Sequence, residues 1–243
     1  MRLHRFYVTE PIGNKKEITI NNAELVNQIQ RVFRLKKGDS IIIFDGSGSD
    51  YTCLIEEFGK ATIDLIIEEA NKSRYVPERE IILCAAIVKK DTFEWIVEKA
   101  TELGVAKIVP IVSERSEKKS LNEERLKKIA IEASEQCGRG DVPIIESIKT
   151  LEDEVGLRPN LGDVGLRPDK VTKIAFHTEG ESVSRSHLAG VGPITIFIGP
   201  EGGWSPAEIE SFHKNNIPIY CLGHQILRAE TAVVATLSQV VFQ

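Results

Sequence analysis

The sequence predicts an α/β protein in two parts, a small β-rich region followed by a mostly parallel sheet covered by helices. Three observations predict it. Short apolar runs separated by turns fill roughly the first seventy residues, strands alternate with helices from Ile81 onward, and a polar, proline-containing stretch, Asn71-Lys72-Ser73-Arg74-Tyr75-Val76-Pro77-Glu78, divides the two patterns. The expected division is residues 1–72 and 73–243. A chain of 243 residues with 42% hydrophobic content is long enough for a small domain and a medium one, each with its own core.

In the first region, Ile41–Phe44, Tyr51–Ile55 and Ala61–Ile67 read as strands, and Asp45-Gly46-Ser47-Gly48-Ser49-Asp50 as a hairpin loop. The loop is glycine-rich, yet no G-K-[ST] follows in register, and Gly59-Lys60-Ala61-Thr62 lacks an upstream glycine, so neither is a phosphate loop. Residues 1–40 carry eight Lys/Arg (Arg2, Arg5, Lys15, Lys16, Arg31, Arg34, Lys36, Lys37) against four acids (Glu10, Glu17, Glu24, Asp39). This pattern fits a basic face and an ordinary solvated surface equally.

In the second region the order is strand Ile81–Val88, helix Thr92–Leu103, strand Lys107–Val112, helix Asn122–Cys137, strands Lys173–His177 and Ile194–Ile198, helix Pro206–Asn215, strand Ile217–Leu222 and helix Glu230–Val241. In the first helix Phe93, Ile96, Val97, Ala100 and Leu103 share one face, and Gly104 ends it. The last helix is apolar nearly all round, which predicts burial on every side. Between residues 151 and 170 the pentapeptide VGLRP occurs twice, at 155–159 and 164–168. It is a tandem duplication with no assigned role.

Composition excludes several function classes. The formal net charge of -5 gives no global attraction to polyanions, so any such site is a local patch. No apolar run approaches the about 18 residues of a membrane span, and the opening residues lack a signal-peptide core, which leads us to expect a soluble, cytoplasmic protein. Cys53, Cys84, Cys137 and Cys221 form no C-x-x-C pair and read as reduced, buried thiols. His4, His177, His187, His213 and His224 show no metal spacing, and packing or surface roles are expected for them. No metal is expected. The hydrolase motifs G-x-S-x-G, H-E-x-x-H and S-x-x-K with its partners are missing.

The most informative stretch runs from Ile194 to Glu208. An apolar strand ends in Gly199-Pro200-Glu201-Gly202-Gly203, and Ser205-x-x-Glu208 with Pro206 at the first helical position is a capping box. Strand, glycine loop and helix form an arrangement in which backbone can approach a ligand at the carboxyl end of a strand. Read alone, the stretch serves a structural turn equally well. A second such arrangement follows: strand, Gly223-His224-Gln225-Ile226-Leu227-Arg228, then the last helix with Glu230 and Thr231 in its first turn. Two such loops would make a shared cleft for a small molecule with a purine and a charged tail.

These residues carry a family resemblance. Gly199-Pro200-Glu201-Gly202-Gly203 and Leu222-Gly223-x-x-Ile226-Leu227-Arg228-x-Glu230-Thr231-Ala232 resemble the signature of the RsmE family of 16S ribosomal RNA uridine-N3 methyltransferases, within the SPOUT superfamily. Arg31-Val32-Phe33-Arg34-Leu35-Lys36-Lys37-Gly38-Asp39, Lys99-Ala100-Thr101-Glu102-Leu103-Gly104-Val105 and Glu135-Gln136-x-x-Arg139 extend the likeness along the chain. Gln225 departs from it, standing where the family carries arginine, and the VGLRP duplication departs too.

The resemblance implies a PUA-like β-barrel at the N-terminus, an α/β SPOUT domain with a trefoil knot at the C-terminus, a homodimer, and S-adenosyl-L-methionine as cofactor. It places cofactor contacts at Thr178, Ile198, Gly199, Pro200, Gly202, Leu222, Gly223, Ile226 and Leu227, with Thr231 and Ala232 closing the pocket. It implies 16S ribosomal RNA or the small ribosomal subunit as partner. Uracil N3 becomes nucleophilic on losing its proton, so Arg228 is expected to stabilise the developing anion and Glu201 or Glu230 to take the proton. Glu230 serves equally to complement the helix dipole. RNA contacts are expected from Arg2, Arg5, Arg31, Arg34, Lys36 and Lys37, and from Lys89, Lys90, Arg115 and Arg139. Another SPOUT enzyme acting on transfer RNA, or a noncatalytic RNA-binding module, remains the alternative.

Overall fold

The computed structural model describes residues 3–73, 75, 79–116, 119–156, 171–190 and 192–242. Arg2 and the body of the VGLRP duplication, residues 157–168, lie outside the described residues. The chain divides into two compact units, Met1–Val76 with Ile131–Val142, and Pro77–Ala130 with Pro143–Gln243.

The first unit is a five-stranded curled sheet. Its strands are β1 (Arg5–Tyr7), β2 (Glu17–Asn21), β3 (Ser40–Phe44), β4 (Ser49–Phe58) and β5 (Thr62–Lys72), in the order β1-β3-β4-β5-β2. β1 and β3 pair in parallel and the other neighbours antiparallel. Alternation drives the curl inward: Ile18 and Ile20, Ile41 and Ile43, Tyr51, Cys53 and Ile55, and Ile63 and Leu65 all turn into one core. The β3–β4 hairpin forms where the Asp-Gly loop predicts it. The Asp45 carboxylate accepts the N–H groups of Ile12 and Ser47, which holds it below the usual carboxylate range against the opposing effect of its burial. β1 and β2, and α1 (Ala23–Asn27) with its π-helical continuation Gln28–Val32, went unforeseen: their apolar residues are too few to show a period. Asn22 caps α1 by accepting the Leu25 N–H at 3.1 Å.

Residues 131–142 are held in this unit by a polar network. Arg5 donates to the carbonyls of Gly138 and Arg139 at 2.8 and 3.1 Å, pairs with Asp50 at 2.8 Å, and lies over the Phe44 ring. Arg139 is 2% exposed and grips both oxygens of Asp141. Glu135 accepts the Tyr7 N–H at 2.9 Å.

The second unit is a parallel sheet with helices. It comprises β6 (Ile81–Ala86), α2 (Lys90–Glu102), β7 (Lys107–Val112), the beginning of α3 (Glu123–Cys137), β8 (Ile144–Ile145), β9 (Lys149–Thr150), α4 (Leu151–Val155), β10 (Thr172–Ser182), α5 (Arg185–Leu188), β11 (Ile194–Ile198), α6 (Pro206–Lys214), β12 (Ile219–Cys221) and α7 (Ala229–Val241). The strand order is β12-β10-β11-β6-β7-β8, with β9 also paired to β7. β6 and β11 are buried at every position, as central parallel strands should be. α2 buries Phe93, Ile96, Val97 and Ala100, as predicted, and Gly104 follows it at φ +81°. Leu103 is only half-buried, whereas Thr101 is buried and satisfies its hydroxyl on the Val97 carbonyl at 2.7 Å.

β7, β11 and the start of α6 match the predicted bounds, while β10 runs five residues past its predicted end at His177. The expectation for α7 is corrected. It buries Ala229, Val233, Thr236, Leu237 and Val240, but Val241 and the following Phe242 are exposed. No helix among the described residues is long and apolar enough to cross a membrane.

Candidate cofactor cavity and its loops

Because β10 lies between β12 and β11, the connection from β11 to β12 passes over it, and it is at such reversals that α/β sheets open a crevice beyond the carboxyl ends of their strands. A cavity of about 270 Å³ lies at the carboxyl ends of β11 and β12 and against Phe176–Thr178 of β10. The glycine loop after β11 gives it Gly199, Pro200, Glu201, Gly202 and Gly203. The loop after β12 gives Leu222, Gly223, Gln225, Ile226 and Leu227, and α7 closes it with Ala229 and Ala232.

Each loop has a local cause. β11 is buried throughout, with Thr195 its one polar residue, and ends where Gly199 begins. A Cβ on Gly199 would lie 3.2 Å from the Trp204 indole, so glycine lets the loop cross that ring. Trp204 is buried and donates its Nε1–H to the Phe176 carbonyl at 3.1 Å, tying the loop to β10. Gly203 sits at φ +68°, a left-handed conformation that favours glycine, and its N–H bonds the Pro200 carbonyl. α6 then starts with the predicted capping box, Ser205 with Glu208 and Pro206 in the first turn.

β10 contributes through an irregularity. Both Phe176 and Glu181 pair with Tyr220 of β12, so residues 177–180 bulge out of the ladder and carry His177 and Thr178 to the cavity. His177 is half-buried. Its burial, opposed by Glu179 and reinforced by the Arg115 guanidinium, holds it below the usual imidazole range, which favours the neutral ring.

Of the positions expected to hold a cofactor, Thr178, Ile198, Gly199, Pro200, Gly202, Leu222, Gly223, Ile226, Leu227 and Ala232 all line this cavity. Thr231 is exposed and outside its walls. Glu201 lines it, whereas Arg228 is the exposed N-cap of α7 and Glu230 lies in that helix's first turn, both between wall residues without being part of the wall. Phe176, His177, Gly203, Cys221 and Ala229 are wall residues that the motif reading missed; a bulge inside a strand leaves no mark on the hydrophobic pattern. Cys221 is accordingly half-buried at the cavity and not a core thiol, and Cys137 is half-buried too, while Cys53 and Cys84 are buried.

Two of the expected RNA contacts are corrected. Arg5 and Arg139 are enclosed and engaged with Asp50 and Asp141, so neither offers its charge to a polyanion. Arg31, Arg34, Lys36, Lys37, Lys89, Lys90 and Arg115 are exposed. Arg34, Lys36 and Lys37 surround, with Gln30, Leu35 and Phe58, a groove of about 350 Å³ in the first unit.

The cavity suits an adenosyl group with a charged tail. Ile198, Leu222, Ile226, Leu227 and Ala232 supply apolar wall, and Ile226 is 83% exposed at the mouth, a surface that a flat ring would cover. Among the described residues no backbone N–H from Gly223 to Leu227 donates within the chain, which leaves donors for a ligand's ring nitrogens and oxygens. Among the described residues no group of His, Cys, Asp and Glu is placed to hold a metal ion.

Comparison with known proteins defines the class first. A family profile described as an RNA methyltransferase domain matches residues 76–241, and one described as an RNA methyltransferase PUA domain matches residues 22–68. The chain is 32% identical over 243 residues to Ribosomal RNA small subunit methyltransferase E of Rickettsia conorii, covering 99% of this chain and 96% of that one. It is 30% identical to the protein of that name in Bacillus subtilis, covering 90% and 88%. Among solved structures, a methyltransferase of Legionella pneumophila in complex with the cofactor SAM superimposes with a TM-score of 0.86 at 26% identity, covering 99% and 97%. The Neisseria gonorrhoeae Ribosomal RNA small subunit methyltransferase E bound to S-adenosyl methionine does so with 0.84 at 25%, covering 98% and 96%. The chain belongs to the ribosomal RNA small subunit methyltransferase E family.

Proposed function

We propose that this protein methylates N3 of a specific uridine in 16S ribosomal RNA of the small subunit, with S-adenosyl-L-methionine as methyl donor. It is an S-adenosylmethionine-dependent RNA methyltransferase. The observation that carries the reading is the cavity itself, where two glycine loops, after the parallel strands β11 and β12 that flank β10, meet the N-terminal end of α7.

When bound there, the cofactor supplies an activated methyl group on a sulfonium whose departure leaves a neutral thioether. The chain's own residues hold and orient. Ile198, Leu222, Ile226 and Leu227 supply the apolar walls, and the Gly223–Leu227 amides, which donate to no acceptor among the described residues, serve as donors. Arg228, at the start of α7, stabilises the uracil anion through its carbonyl oxygens, and Glu201, on the cavity rim, takes the N3 proton. Glu230 is the second candidate for that proton.

RNA is held by the exposed cations Arg31, Arg34, Lys36 and Lys37 of the PUA-like region, residues 1–72, with Lys89 serving the catalytic region, residues 73–243. The trefoil knot implied by the family likeness belongs to this reading. So does a homodimer, supported by the exposed apolar end of α7, where Phe242 is 70% exposed. We place the enzyme in the cytoplasm, where ribosomal RNA is found.

The test is calorimetric titration of the purified protein with S-adenosylmethionine and, separately, with ATP, followed by mapping of methylated uridines in small-subunit RNA incubated with protein and cofactor. Saturable binding of the first ligand alone and a single new N3-methyluridine are expected. A preference for ATP sinks the proposal, and methylation confined to transfer RNA redirects it to another SPOUT substrate.

A further inference from the structure

We infer that Arg115 is a positioning residue for the cofactor cavity, setting the glycine loop after β11 from outside it. This rests on the methyltransferase reading above and assigns Arg115 away from the RNA contact that its charge suggests.

The geometry runs through one buried carboxylate. Glu208, in the first turn of α6, is 5% exposed and accepts three donors: the Ser205 N–H at 2.7 Å, the Ser113 hydroxyl at 3.2 Å and the Glu114 N–H at 3.0 Å. The first bond caps α6. The other two fasten the turn after β7, residues 113–116, which is further closed by the Ser113 N–H donating to the Ser116 hydroxyl and the Ser116 N–H to the Ser113 carbonyl. Glu208 therefore fixes, with one side chain, the helix that follows the glycine loop and the turn that carries Arg115.

From that turn the Arg115 guanidinium reaches back and donates through Nη1 to the Gly202 carbonyl at 2.8 Å. Its Cβ and Cδ lie 3.5 Å from where a Gly202 Cβ would stand, so the aliphatic stem rests against the bare backbone of the loop. Gly202 and Gly203 are wall residues of the cavity. With its carbonyl turned to Arg115, the Gly202–Gly203 peptide is held in one orientation, and so is the loop edge that meets the cofactor. The charge has a second consequence. Arg115 acts on His177, a wall residue on the other side of the loop, to favour the neutral ring. A guanidinium engaged with a carbonyl in this way orients the wall without itself lining the cavity.

The experiment compares the full-length protein with Arg115→Ala and Arg115→Lys by calorimetric titration with S-adenosylmethionine and with S-adenosylhomocysteine. A second readout is an NMR pH titration of His177 without cofactor. Loss of the charge-assisted bond should raise both dissociation constants about tenfold, with partial recovery in Arg115→Lys. Removing the cation should also move His177 titration to higher pH. In turnover, KM for the cofactor should rise while kcat at saturation stays near wild type. Glu208→Gln, which keeps the side chain's volume but weakens its acceptor, should reproduce the cofactor effect more weakly. Unchanged cofactor affinity in Arg115→Ala, with RNA affinity lowered and its salt dependence flattened by about one charge, overturns the inference and restores the RNA contact. Failure of the wild-type protein itself to bind either ligand overturns the methyltransferase reading and this inference with it; failure confined to the variant comparison removes the inference alone.

Discussion

The indole N–H of Trp204 donates to the main-chain carbonyl of Phe176 at 3.1 Å, joining the glycine loop after β11 to the strand whose bulge carries His177 into the same cavity. One buried ring thus sets the spacing of two cavity walls, and Gly199 crosses its face.

Trp204→Phe should keep most of the packing against Phe212 and lose the hydrogen bond, leaving the Phe176 carbonyl without its partner. We expect a loss of about 1–2 kcal/mol in urea unfolding and weaker S-adenosylmethionine binding, since the loop is no longer tied to β10. Equal stability and affinity would show that the bond has no net effect.

Glycine substitutions should separate two causes. An alanine Cβ at Gly180 would lie 2.5 Å from the Tyr220 carbonyl carbon and 2.8 Å from the Ile219 oxygen, both backbone, so β10 and β12 must part. Gly180→Ala should cost about 2–3 kcal/mol. At Gly203 the obstacle is φ +68° with only the His177 ring nearby, and Gly203→Ala should cost about 1–2 kcal/mol, read by the same unfolding titration. A Gly180→Ala variant as stable as wild type would refute the close approach of the two strands.

Glu135 gives a pH dependence confined to the first unit. Burial, with Glu132 adding to it, pushes its carboxyl up to about 7 against the opposing effects of the Tyr7 N–H and Arg5. A raised carboxylate pKa means that the folded state binds the extra proton. The contribution to stability is therefore full below the ordinary value of 4.5 and is lost as pH rises through about 7. Glu135→Gln keeps an acceptor for the Tyr7 N–H and removes the titration. Its stability relative to wild type should rise between pH 5 and pH 8 by on the order of 2–3 kcal/mol, measured by urea unfolding at each pH. A difference independent of pH would show that the folded-state carboxyl titrates normally.

Charge reversal at Arg31 and Arg34 should weaken RNA binding and flatten its salt dependence without moving cofactor affinity, because both are exposed in the first unit while the cavity lies in the second. Nitrocellulose filter binding over a range of salt concentrations checks this. Reversal at Arg139 should instead destabilise the protein, since that charge is enclosed with Asp141.

The sequence by itself determined the α/β class, the bounds of β7 and β11, the β3–β4 hairpin, the α6 capping box and both glycine loops. Each is a local matter, set by apolar period, by a turn's need for glycine or by a side chain within three residues. It also placed most of the cavity's walls, because those walls are the loops themselves. Only the tertiary structure decided the rest. Arg5 and Arg139 read as surface cations until the fold closed them over Asp50 and Asp141, since enclosure depends on residues distant in the chain. The return of residues 131–142 to the first unit depends on contacts such as Tyr7 N–H to Glu135, and the route of His177 to the cavity on the unequal pairing of β10 and β12. Arg115 shows the same limit: its charge was legible, but its partner is a backbone carbonyl 87 residues further along, and hydrophobic periodicity carries no information about such pairs.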